Sequence, residues 1–331
     1  MFIAEPGCSA KVRLLPTLVC AAAIVLVCLP AAGATFVREG LIRAGGDNVN
    51  SVAFSRDGKM LATGHNGNDV KLWSLPGGQA LQTLKGHGSK VLSVAFSPDG
   101  TMLASGGEDK SVKIWSLPDG KALATLRTTG NVQSVAWSPD GKLLASGSKT
   151  VTLWAVPEGK MLVTIPGHKS AVTTVAFSPD GKMVASASVD QSVKLWSVPD
   201  GAAIRTLKGH TDDVNGLAFT PDGTMLVTGS EDETLKLWSV ADGQTLKTMK
   251  GDNTDNVQCV TVTADGKAAL AGGNKDKKIR VFSLADGSQL PSLQGHLKTA
   301  TCLAVSADGR MLASGSDDNT VILWTDKDAA K

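Results

Sequence analysis

A tryptophan closing an apolar run returns along this chain at a nearly fixed interval, with one replacement by phenylalanine: Trp73, Trp115, Trp154, Trp196, Trp238, Phe282 and Trp324. The successive spacings are 42, 39, 42, 42, 44 and 42 residues. A period near forty means one small structural unit copied head to tail. No such unit can bury its own apolar faces, so the copies must cover one another.

The cleanest copy runs from Gly86 to Leu126 and contains four apolar runs of five to seven residues, each too short for a core helix and rich in Val, Leu, Ile, Ala and Phe. Ser97-Pro98-Asp99-Gly100 separates the first two runs and Leu117-Pro118-Asp119-Gly120 the last two. Pro presets φ and Gly tolerates the left-handed region, so both segments are tight turns. With a third reversal expected at Gly106 to Asp109, the copy is a four-stranded antiparallel meander. Simple alternation puts Leu92, Val94 and Phe96 on one face of the first strand and Val91 and Ala95 on the other. A strand apolar on both faces is covered on both sides, which meanders stacked around an axis provide.

With these residues in place the chain resembles the WD-repeat family, the forty-residue tryptophan-aspartate repeats. The resemblance covers roughly residues 36 to 324 and implies an all-β, seven-bladed β-propeller. In that family a blade holds a hydrogen-bonded tetrad: the His of a Gly-His pair, a Ser or Thr on the second strand, an Asp in the following loop and the Trp of the third strand. Four copies match it, as His87, Ser105, Asp109 and Trp115; His168, Ser186, Asp190 and Trp196; His210, Thr228, Asp232 and Trp238; and His296, Ser314, Asp318 and Trp324. The steps are 18, 4 and 6 residues in every set. Three copies depart. The first has Thr63 and Trp73 but Gly45 in place of His and no Asp; the third keeps Ser146 and Trp154 but has Thr128 for His; the sixth has Asp252 where His is expected, Ala271 for Ser, and keeps Asp276 and Phe282.

After Trp324 only a short polar tail remains, residues 325–331, so the last copy lacks its fourth strand. Phe36 to Arg43, ahead of the first full copy, lies where a fourth strand should be and is expected to close the ring, which removes an exposed edge.

Residues 1–34 are of a different kind. Lys11 and Arg13 precede an apolar run from Leu14 to Leu29, and Pro30-Ala31-Ala32-Gly33-Ala34 follows. A charged start, a short apolar stretch and an A-x-A ending predict a secretory signal cleaved after Ala34. The apolar run is shorter than the ~20 residues of a membrane span. The expected product is an exported monomeric ring, residues 35–324 plus the tail, without stable membrane insertion. Plain export and near-identical copies suggest a bacterial source. Cys259 and Cys302, the cysteines outside the signal, hold equivalent positions on neighbouring first strands and read as small buried thiols.

The formal charge is +2, from 33 basic and 31 acidic residues that are interspersed, which is no footprint for nucleic acid. Four of the five His belong to the tetrads. The fifth, His65, falls in His65-Asn66-Gly67-Asn68-Asp69, read as a loop, and no ligand role follows. The loop from Gly251 to Asn256 is rich in oxygen ligands but lacks the Glu and spacing of a calcium loop. No nucleophile elbow, CxxC pair or phosphate loop occurs. The expectation is therefore no metal, no cofactor and no catalysis. Because of the family resemblance, function is expected to be that of a rigid scaffold for protein binding. An exported enzyme or substrate-binding subunit with a ligand in the central channel is the alternative. Loops before the first strand and between the second and third share one rim, a common docking face in the family. In this chain an acidic sector of that rim, Asp212, Asp213, Glu231, Asp252 and Asp255, is the candidate partner-binding surface, while Lys90, Lys169, Lys275 and Lys298 make the rest of the rim mixed in sign.

Overall fold

The computed structural model describes residues 36–251, 256–273 and 277–327, all within one unit spanning Gly33–Lys331. Its strands, numbered β1 to β28 in chain order, form seven four-stranded antiparallel sheets. The second blade is typical, with β6 (Val91–Phe96), β7 (Met102–Gly107), β8 (Ser111–Ser116) and β9 (Ala122–Arg127) in sequential order from the axis outward. The chain is a seven-bladed β-propeller.

The turn chemistry acts as its residues dictate. Ser97 Oγ donates to Asp99 Oδ1 at 2.6 Å, the same oxygen accepts from Thr101 N at 3.0 Å, and Gly100 takes φ +73°. Equivalent Ser–Asp or Thr–Asp bonds recur in the first-turn loop of every blade, from Ser55–Asp57 to Ser306–Asp308. The third reversal falls later than Gly106–Asp109, because Gly106 and Gly107 remain in β7 and Lys110 supplies the left-handed residue at φ 60°. Gly106 serves a different need: a Cβ there would meet Val132 of the next blade at 2.5 Å, so its absence lets the two sheets close up.

Seven buried clusters fill the seven junctions between blades. One of them joins Val70, Leu72 and Leu84 of the first blade to Val94, Leu103 and Trp115 of the second. Each copy thus covers its neighbour, as the forty-residue period requires. Closure uses the predicted segment: β1 (Phe36–Arg43) pairs antiparallel with β28 (Thr320–Asp326), from Phe36 opposite Asp326 to Arg43 opposite Thr320, with a bulge between Arg38 and Gly40. Phe36 is buried among residues of the sixth and seventh blades and Ile42 in the cluster that joins the seventh to the first.

The two-sided alternation of the first strand is not kept. The register slips by one residue between Val91 and Ser93, and at the matching place in the first, fourth, fifth, sixth and seventh blades. This bulge turns the second residue of the strand toward the axis. Leu92 therefore lines the channel instead of sharing a face with Val94.

Candidate functional site

All four predicted tetrads are assembled. In the fourth blade His168 Nδ1 is 3.0 Å from Asp190 Oδ2, His168 Nε2 is 2.7 Å from Ser186 Oγ, and Trp196 Nε1 donates to Ser186 Oγ at 2.8 Å. The His–Asp distances in the second, fifth and seventh blades are 3.0, 2.7 and 3.2 Å. Burial alone would raise the Asp190 carboxyl, but donation from Ser192, Lys169 N and His168 outweighs it and brings the group to about 2. Each such Asp also accepts from the backbone of its own upper loop, Gly88 N, Lys169 N, Thr211 N or Leu297 N. The tetrads therefore hold the rim loops on a stiff frame.

The three departing blades solve the same problem differently. His65 is not a loop residue; it ends β3 (Met60–His65), is 0% exposed, and its Nε2 lies 2.6 Å from Thr63 Oγ1. That hydroxyl also accepts from Trp73 Nε1 at 2.9 Å, so the imidazole missing from the Gly45 loop is supplied from the strand. Lys71 swings in beside it and donates to Ala44 O at 2.6 Å. Burial first, then the Lys71 charge, lower His65 to about 4. In the third blade Trp154 Nε1 still donates to Ser146 Oγ at 2.9 Å, but Thr128 Oγ1 ties its own loop by donating to Gly130 O at 2.7 Å. In the sixth, Ala271, Phe282 and Arg280 are all 0% exposed. The Arg280 side chain fills the space beside Gly251, where a Cβ would stand 3.1 Å from its Cδ. Asp276 lies outside the described residues.

The acidic sector is in part a single unit. Asp212 and Asp213 sit before β18 (Val214–Phe219), and Glu231 follows β19 (Met225–Ser230). The Glu231 amide donates to Asp213 O at 2.8 Å and joins the two loops. Asp212 is exposed, whereas Asp213 and Glu231 are half-buried. Burial, then Glu231, then Asp212 push the Asp213 carboxyl up. Glu231 accepts from Asn215 Nδ2 at 3.3 Å and from Asn256 Nδ2 at 3.4 Å, which ties the fifth blade to the sixth. The second blade shows the contrast: at the place of Asp213 it has Lys90, whose Nζ is 3.3 Å from Glu108, the counterpart of Glu231. Among the described residues Asp212, Asp213 and Glu231 have no such cation, although Glu233 of the same blade pairs with Lys250 at 3.0 Å. Asp252 and Asp255 lie outside the described residues, as do Asn253 and Thr254 between them and Lys275.

The axis was under-read from the sequence. It carries a cavity of about 310 Å³ whose mouth is formed by the bulged residues, among them Asn50, Leu92, Asn215 and Gln258, with Gln133 at the matching place in the third blade. Below them small groups tie every blade but the fifth, which has Gly216 at that place, to the next. Ser51, Ser93 and Ser134 Oγ accept from Val94, Val135 and Val175 N at 3.0–3.1 Å. Thr174 Oγ1 donates to Asn215 O at 2.5 Å, and Cys259 Sγ to Ala300 O at 3.6 Å. Burial pushes both thiols up, Cys302 to about 12, so they are inert packing groups.

A circular array of seven four-stranded blades with His–Ser/Thr–Asp–Trp tetrads defines a propeller of the repeat type. The family profile WD40, described as WD domain, G-beta repeat, matches seven consecutive segments, residues 40–74, 78–116, 120–154, 159–197, 201–239, 243–283 and 287–325, and the chain belongs to that family. A comparison with curated proteins gives no match.

Proposed function

We propose that this propeller is an exported, non-catalytic platform that docks a basic protein surface on the Asp212–Asp213–Glu231 sector. Propellers of the WD40 family generally serve as scaffolds for protein interaction. The observation that carries the reading is the reversal at one rim position, Lys90 beside Glu108 in the second blade and Asp213 beside Glu231 in the fifth. Adjacent like charges destabilise a free surface and are relieved when a cation from a partner lands between them. The non-catalytic reading is supported by the channel lining, which among the described residues contains no Asp, Glu, His, Lys or Arg to act as general acid or base. The export reading rests on the charged, apolar and A-x-A segment of residues 1–34.

The test is capture of partners from intact cells by the wild-type chain and by the double variant Asp212→Lys and Asp213→Lys. Glu231 is left in place because its carboxylate joins two blades. The variant should keep its stability within about 0.5 kcal/mol and lose the captured protein, and wild-type capture should weaken with salt. Undiminished capture by a folded variant would move the docking site elsewhere on the ring.

A further inference from the structure

The fold uses most of the side chains at the channel mouth, and two stand apart. Asn50 Nδ2 and Asn215 Nδ2 donate to Val91 O and Val257 O of the next blade, and Thr173 and Thr301 Oγ1 donate to Val214 O and Val49 O. Gln133 and Gln258 occupy the same ring, yet neither carboxamide bonds to any described residue. They belong to the third and sixth blades of seven, so they face each other across the axis.

We propose that the channel mouth binds a small uncharged polyhydroxylated ligand, a monosaccharide or disaccharide, gripped between the carboxamides of Gln133 and Gln258. Each carboxamide offers two N–H donors and a carbonyl acceptor. The side-chain carbonyls of Asn50 and Asn215 add acceptors, because those residues spend only their N–H groups on the neighbouring blade. A site with more acceptors than donors and no charge matches hydroxyl groups, which donate as well as accept. Leu92, the one apolar member of the ring, gives the C–H face of a sugar something to pack on. A cavity of about 310 Å³ sits at the small end of ligand sites, which suits one or two sugar rings. Anions are disfavoured, since among the described residues no cationic side chain lines the cavity to pair with them. Anions are further repelled by Glu231, which is hydrogen-bonded to Asn215 at the mouth.

The test is titration calorimetry of the whole chain with cellobiose and N,N′-diacetylchitobiose as neutral probes and glucuronate as the charged control. It is repeated on the double variant Gln133→Leu and Gln258→Leu. Neither glutamine carries an inter-blade bond, so the variant should melt at the wild-type temperature. At least one neutral probe should bind at a single saturable site, glucuronate should not, and the variant should bind that probe about tenfold more weakly, the loss expected from two modest hydrogen bonds. Failure of both neutral probes, equal binding by a folded variant, or equal binding of glucuronate would overturn the proposal. The Asp212→Lys, Asp213→Lys variant should bind the sugar as the wild type does, which separates this site from the protein-docking reading.

Discussion

Replacing His65 by Ser, the residue found at the same place as Ser188, Ser230 and Ser316, tests how the first blade manages without a loop histidine. At neutral pH the variant loses the hydrogen bond between the imidazole and Thr63, worth about 1 kcal/mol. It also leaves a ring-sized void in a site that is 0% exposed, for about another 1–2 kcal/mol. The wild type has its own weakness. His65 titrates near 4 when folded, against 6.5 in its ordinary state, so between those values the unfolded chain takes up a proton that the native one refuses. The neutral-histidine stability is therefore complete above 6.5 and is lost as the pH falls toward 4, to the extent of about 3 kcal/mol. Serine does not titrate, so the variant lacks this loss. Urea unfolding at pH 7, 5.5 and 4 should show the variant about 2–3 kcal/mol weaker at pH 7 and nearly level with the wild type at pH 4. Asp190→Ala is the contrast, because it removes the acceptor of His168 and should cost about 1–3 kcal/mol at pH 7 with no convergence of that origin. A constant gap between His65→Ser and wild type at all three pH values, or none at pH 7, would refute the assignment of His65 as a buried neutral substitute.

Two further expectations concern the ends of the chain. A chain that begins at Gly46 lacks β1 and the burial of Phe36 and Ile42, roughly 3–6 kcal/mol of apolar contact. It should melt far below a chain beginning at Thr35 or aggregate through its open edge, and equal midpoints would contradict closure by β1. If residues 1–34 are an export signal, mass spectrometry of the protein from its own cells should give a mature chain starting at Thr35; an intact N-terminus on membrane-bound protein would point to a retained anchor.

Much of the architecture was legible in residue type and spacing. The interval between tryptophans, the Pro-Asp-Gly turns and the 18, 4 and 6 steps each reflect local chemistry that few other arrangements satisfy. They carried the blade count and the meander, and through the resemblance to the WD-repeat family the four tetrads. The displaced register that let Phe36–Arg43 serve as the missing strand was legible for the same reason. The candidate sites were less so. His65 read as a loop residue because nothing in a linear motif says that a strand residue can reach a hydroxyl normally served from the loop above. Asp213 and Glu231 were legible as charges, but the hydrogen bond that joins their loops and the bonds that occupy Glu231 arise between segments distant in sequence.

The sequence alone determined the number and order of the strands, because apolar alternation, turn residues and repeat length are properties of neighbours along the chain. The tertiary structure decided what faces the axis. A one-residue bulge in the first strand reverses the side on which Asn215 and Gln258 emerge, as its counterpart does for Leu92. Beside it, small groups such as Ser93 and Thr174 bond to the backbone of the neighbouring blade. Residue type specifies a side chain's chemistry, and only the closed ring specifies its direction.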